Sequence, residues 1–162
     1  MSQLDDLYQS LILDHNRRPR NVGPLEDANR EQRGRNPLCG DECTLWLRVE
    51  DGVVADVRFV ATGCAISKAS ASVLTTVVKG RTTAEAAALF ERFHDLVTGR
   101  PGDDAATLPR SLTAFGGVAR FPMRVKCATM AWHALHAALG PDLPAGPPAP
   151  GTPKVPAAPA AR

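Results

Sequence analysis

Three observations in the sequence predict an α+β fold. Apolar residues recur at helical spacing near the start of the chain, and a hairpin of alternating residues follows over 44–61. Helical spacing then returns and holds to about residue 139. Strands that cluster early and helices that cluster late exclude a wound βαβ arrangement. No internal repeat is present, and 162 residues make one folded body.

The first helix spans 4–15, where Leu4, Leu7, Tyr8, Leu11 and Ile12 share a face. Pro19 ends it, because the residue before a proline is pushed out of the helical region. Residues 20–38, rich in Asn, Pro, Gly and Arg, read as an irregular connection. Leu45, Leu47 and Val49 alternate with Thr44, Trp46 and Arg48. Beyond the turn signal Asp51-Gly52, Val53, Ala55, Val57, Phe59 and Ala61 alternate in the same way. Trp46, Val54 and Val60 lie on the other face, which predicts that it too is partly covered.

After Gly63, Ile66, Ala69, Ser70, Val73, Leu74 and Val77 form one helical face, and Gly80 suits the position just past the helix end. Thr82 and Glu85 form a capping box. They open a helix carrying Ala86, Leu89, Phe90, Phe93 and Val97. Residues 98–122 are loop-rich, with one short helix near 107–115. A last helix runs from 128 to 139 with Ala131, Trp132, Leu135 and Leu139 facing inward. The folded domain is thus 1–140. Eight of the fourteen prolines fall in 141–162, a Pro/Ala-rich segment whose composition predicts a disordered tail.

Hydrophobic residues make up 44% of the chain and charged residues 22%, at a net charge of +2. With no basic run and few aromatics, this balance argues against nucleic acid as the main partner. The acidic start, Met1-Ser2-Gln3-Leu4-Asp5-Asp6, lacks the apolar region of a signal peptide. No stretch approaches the roughly 20 apolar residues of a membrane span. These features predict a cytoplasmic protein. In a reducing compartment Cys39, Cys43, Cys64 and Cys127 read as thiols or metal ligands rather than disulfides.

Three or four soft thiolates at tetrahedral angles suit zinc or iron–sulfur chemistry. The spacing of 4, 21 and 63 residues draws single ligands from distant segments, so the fold must hold such a site together. Cys64 and Cys127 each immediately precede a predicted helix, where unpaired backbone N–H groups favour the thiolate. Arg124 and Lys126 add positive charge beside Cys127. In extended backbone, Cys39, Asp41 and Cys43 point to one side, so either Asp41 or Cys43 can complete the set. His15, His94, His133 and His136 lie in no ligand-spaced motif. They read as solvated or helix-capping residues, with a cationic His15 suited to the end of the first helix.

The segments Asn36-Pro37-Leu38-Cys39-Gly40-Asp41, Gly63-Cys64-Ala65-Ile66-Ser67-Lys68-Ala69-Ser70-Ala71-Ser72 and Phe121-Pro122-Met123-Arg124-Val125-Lys126-Cys127-Ala128 resemble, in order, the three ligand loops of the U-type iron–sulfur cluster assembly scaffold family, the NifU N-terminal domain or IscU-like proteins. Lys126, where IscU-like members place a histidine, and the long step from Cys64 to Cys127 resemble the SufU branch. The resemblance implies a small antiparallel sheet of about three strands with helices packed on it. It implies zinc held by Cys39, Asp41, Cys64 and Cys127. It further implies a partner, a SufS-type cysteine desulfurase that uses pyridoxal phosphate, with Arg124 and Lys126 at that interface. In the family picture a desulfurase histidine takes one zinc position, and the freed Cys39 accepts persulfide sulfur for downstream Suf cluster-assembly proteins. A [2Fe–2S] scaffold role is the alternative use of the same ligands. A structural zinc site using Cys43, which typical members lack, is a further one.

Overall fold

The structure, a computed structural model, describes residues 3–37, 40–100, 102 and 107–140. Cys39 and the segment 141–162 lie outside the described residues. Helix α1 (Gln3–Arg17) leads into a three-stranded antiparallel sheet of β1 (Arg30–Asn36), β2 (Asp41–Glu50) and β3 (Val53–Thr62), in the order β1-β2-β3. Helices α2 (Ala65–Val78), α3 (Thr83–Val97) and α4 (Arg110–Thr113), a 3₁₀ segment (Ala114–Arg120) and α5 (Pro122–Leu139) follow. The fold is α+β, as the order of apolar patterns predicts. None of the described helices is long and apolar enough to cross a membrane.

Strand β1 lies in the stretch that reads as irregular. Gln32 and Asn36 are buried while Glu31, Arg33 and Arg35 face outward. The period of two is present, but its inward positions are polar or glycine, so a search for apolar alternation passes over it. Gly34 is paired with Cys43 across the sheet. A Cβ at Gly34 would stand 2.9 Å from the Cys43 sulfur and 3.1 Å from the Met130 carbonyl of α5. The glycine lets the last helix lie directly on β1.

In β2, Asp41, Cys43, Leu45 and Leu47 form the buried face. Asp51 and Gly52 both have positive φ, 51° and 74°, the backbone of a tight type I′ hairpin. A register shift between Arg48 and Val49 places Val49 opposite Val54. That bulge, rather than a covered second face, buries Val54, and Val60 is exposed. Residues 21–23 run along the open edge of β3. Phe59 N–H donates to the Asn21 carbonyl and Gly23 N–H to that of Phe59, which closes an edge otherwise open to pairing.

Helix α2 is buried nearly all round, including Ser67, Ser70, Ser72 and Thr75. Their small side chains admit neighbouring elements closely, and each hydroxyl is satisfied. Ser70 donates to the Ala128 carbonyl of α5 and accepts from Trp132 Nε1 at 3.2 Å. Ser72 Oγ accepts from the Arg20 N–H and pairs with His15 Nδ1 at 2.8 Å. His15 is therefore buried against α2 and is not a solvated cap. Burial and the nearby Arg20 push its basicity down. Helix α3 starts with the expected Thr82–Glu85 capping box and packs on α5, where the Phe93 and Trp132 rings stack at 4.8 Å.

Helix α5 begins at Pro122, not near residue 128. Proline is well placed in a first helical turn, where its missing N–H has no partner to lose. The short helix expected near 107–115 is α4 with its 3₁₀ continuation.

On α5, burial and then the neighbouring His94 and His136 push the His133 ring down from 6.5 to about 4. Its neutral form is thus favoured in the folded state. Above pH 6.5 neither folded nor unfolded His133 is protonated. Below it the unfolded chain takes up a proton that the folded chain refuses, so stability falls as pH drops from 6.5 towards about 4. Denaturant midpoints at pH 7.5 and pH 5 should show this loss, and His133→Leu should make the decline shallower.

Candidate metal centre

Three of the four residues implied as ligands can be placed, and they converge. Asp41 opens β2, Cys64 caps α2, and Cys127 lies in the second turn of α5. A carboxylate oxygen and the two sulfurs lie within 4.8 Å of one another, the one such group among the described residues. Asp41 is 1% exposed and Cys127 is fully buried, while Cys64 is half-buried at the rim.

Residue 63 decides how closely Asp41 and Cys64 approach. Gly63 has φ 128°, a region that side chains disfavour, and a Cβ there would stand 2.0 Å from Asp41 Oδ1. Without it, Oδ1 accepts the Cys64 N–H at 2.9 Å. Oδ2 accepts the Ser67 hydroxyl at 2.7 Å and faces the Cys64 sulfur at 3.7 Å. Cys64 sits in extended backbone (φ −75°, ψ 163°), and its sulfur accepts the Ser67 N–H at 3.5 Å as a helix cap. The expectation that Cys64 precedes a helix holds. Cys127 is already inside α5, so its environment comes from contacts rather than from the helix end. Asn36 Nδ2 reaches its sulfur at 3.8 Å.

Burial pushes the Asp41 carboxyl up. Hydrogen bonds from Ser67, the Cys64 N–H and the Cys127 and Cys64 thiols outweigh it and hold the group below its ordinary value. A buried carboxylate is stable when paired with a cation or bound to a metal. Among the described residues no Lys or Arg forms an ion pair with Asp41. Two thiols converge on it instead, a donor set that suits zinc. In a tetrahedral zinc site, neighbouring sulfur and oxygen ligands are separated by about 3.5 Å. The observed Asp41–Cys64 separation is close to that spacing. The residues present fit the ion.

Cys43 shares the buried face of β2 with Asp41 but stands outside the cluster, packed over Gly34 against α5. Burial pushes its thiol up to about 12, so it stays protonated at neutral pH. Arg124 and Lys126 lie exposed on the opening turns of α5, beside the exposed Phe121 and Met123. Tyr8 of α1 approaches the same place. Burial pushes its phenol up, Arg124 pulls it down, and the Cys64 and Cys127 sulfurs push it up again.

Sequence reasoning did not single out Ser67, Asn36 or Gly63. Ser67 had a legible signal, since a cap residue followed three positions later by a hydrogen-bonding side chain is the spacing of a capping box. Asn36 had none beyond its place in the ligand segment.

The NifU-like N terminal domain family matches residues 7–128. The chain belongs to the NifU-like N terminal domain family. Among relatives of this NifU-like chain, the zinc-dependent sulfurtransferase SufU of Bacillus subtilis (strain 168) is 38% identical over 141 residues, covering 87% of this chain and 95% of that protein. The iron-sulfur cluster assembly scaffold protein IscU of Streptococcus pyogenes serotype M1 is 37% identical over 139 residues, covering 86% of each. The crystal structure of FiSufU from Fervidobacterium islandicum AW-1 superposes with a TM-score of 0.74 at 33% identity, covering 80% of this chain and 93% of that one.

Ser67→Ala removes a donor to Asp41 and a contact to Cys64 while leaving every ligand in place. It should weaken zinc binding by about 10–100-fold, the usual cost of losing a partner that orients a ligand. Competition with a chromophoric chelator measures this, and circular dichroism should be unchanged.

Proposed function

We propose that this NifU-like protein works in cytoplasmic iron–sulfur cluster assembly as a zinc-dependent sulfurtransferase. It accepts persulfide sulfur from a SufS-type cysteine desulfurase and passes it to downstream Suf cluster-assembly proteins. The observation that carries this reading is the convergence of Asp41, Cys64 and Cys127 within 4.8 Å. Similarity to a zinc-dependent SufU over most of both chains supports it, as does Lys126 preceding Cys127.

Asp41, Cys64 and Cys127 would hold the zinc, with Cys39 as the remaining ligand. Cys39 follows Asn36 by three positions and precedes Asp41 by two, and both flanking residues reach the cluster. Two residues of chain span at most about 7 Å, a reach that supports assigning Cys39 as the remaining ligand. When bound, zinc keeps its thiol ligands deprotonated at neutral pH. The chain's own part is to present Cys39 as a nucleophile. Its thiolate attacks the outer sulfur of the desulfurase persulfide. A new S–S bond forms on Cys39 as the partner's S–S bond breaks, and the partner's cysteine leaves as a thiolate. Arg124 and Lys126, exposed beside Cys127, would meet the desulfurase.

A second reading, a scaffold on which a [2Fe–2S] cluster is built and handed on, is favoured by the near-equal similarity to IscU. A purely structural zinc site loses its motive, because Cys43 stands apart from the ligand cluster.

Metal and sulfide content of protein purified without added metal, followed by alanine release from a SufS-type desulfurase, separates these readings. The sulfurtransferase reading expects one zinc per chain, faster alanine release with the protein present, and loss of that stimulation in Cys39→Ala. Isolation with iron and sulfide in place of zinc would establish the scaffold reading instead.

A further inference from the structure

A second group of metal-binding side chains lies on the α3–α5 face and has no part in the proposed sulfur transfer. His94 of α3 and His133 and His136 of α5 surround the ring of Phe90. The ring centroids of His94, His133 and His136 stand 5.8, 5.3 and 5.2 Å from that of Phe90. His94 and His133 lie 5.8 Å apart, edge to face. Positions three apart on a helix share a face, so α5 presents His133 and His136 together, and α3 brings His94 to 5.8 Å from His133.

We infer that His94, His133 and His136 form a second binding site for a borderline divalent ion of the zinc–nickel–cobalt class. Two imidazoles that share one ion, with metal–nitrogen bonds of about 2.0–2.1 Å, have ring centroids about 5 Å apart. The His94–His133 spacing of 5.8 Å is near that value. All three rings are half-buried. Among the described residues, their nitrogens hydrogen-bond to no other group, and none is sealed from water as a buried orphan. The nitrogens are therefore open to an incoming ion while the ring bodies are held against Phe90, itself 8% exposed.

The chemistry of the cluster agrees. Burial and the neighbouring rings keep His133 neutral down to about pH 4, and a neutral ring offers the lone pair that a metal needs. One shared ion would give these nitrogens the partner they lack within the described structure. The site is not pre-formed, because in the present rotamers only Asp41, Cys64 and Cys127 have ligand atoms within 4.8 Å of one another. Turning the rings and using uncharged donors make it weaker than the thiolate centre. Imidazole suits nickel and zinc alike, and water fills the remaining positions.

The test uses untagged full-length protein already loaded with one equivalent of zinc, titrated with NiCl2 at pH 7.5 by calorimetry and by NMR of the histidine rings. One nickel ion is expected to bind while the first zinc is retained. The rings of His94, His133 and His136 should broaden, and that of His15 should not. His94→Gln and His136→Gln change partly exposed rings and spare the core, and each should weaken nickel binding by about tenfold or more, since even an indirect partner of a ligand is worth that much. Absence of nickel uptake, displacement of zinc without broadening of these three rings, or unaltered affinity in either variant would overturn the proposal.

Discussion

The carboxylate of Asp41 occupies the space where a side chain at position 63 would be, and the rest of the centre depends on that substitution of function for bulk. Gly63 sits at the junction of β3 and α2 with φ 128° and no Cβ, so Asp41 Oδ1 can reach the Cys64 N–H. This one contact ties the start of the middle strand to the start of the central helix. It brings the two ends together with their ligands facing each other, and Cys127 needs only to be lowered onto them by α5. The two conditions that allow this are both backbone conditions. Residue 63 must tolerate a left-handed φ, and Gly34 must let α5 lie against β1.

Electrostatics favour the charged form of Asp41 in the same centre. The described structure offers Asp41 hydrogen-bond donors rather than a Lys or Arg. Ser67, the Cys64 N–H and two thiols stabilise the charged form against the cost of burial. Such a set is stable enough to fold and incomplete enough to bind. The hydroxyl-bearing face of α2 serves both purposes. Ser67 orients the Asp41 carboxylate, while Ser70 and Ser72 fasten α5 and α1 to the same helix. Packing and ligand placement are therefore one problem here, since a shift of α2 against α5 would also move Cys64 away from Cys127.

Most of the architecture was legible because its signals are local and apolar. The Asp51-Gly52 hairpin, the Thr82–Glu85 box and the helical faces over α1, α2 and α3 each rest on short-range chemistry that the residues carry themselves. Strand β1 was not legible, because Gln32, Gly34 and Asn36 bury polar or absent side chains whose partners come from β2 and α5. The early start of α5 was masked by Gly116, Gly117 and Pro122, which read as loop although proline is at home in a first turn. The bulge after Arg48 exchanges the face of Val54, and nothing in the hairpin pattern announces it. At the site, the ligand types came from motif resemblance, and the structure adds what holds them. Cys43 shows the limit of counting thiols. It shares a strand face with Asp41, yet its burial against Gly34 makes it a core residue.

The central proposal is that Cys39, Asp41, Cys64 and Cys127 hold a single zinc, with Asp41 and Cys64 brought together at Gly63. Zinc K-edge X-ray absorption on protein purified without added metal tests it most directly. The account predicts a four-coordinate shell of three sulfurs at about 2.3 Å and one oxygen at about 2.0–2.2 Å, and in Asp41→Ala that oxygen shell should change while the sulfur shell persists. A shell of four sulfurs would bring Cys43 into the site and contradict the account.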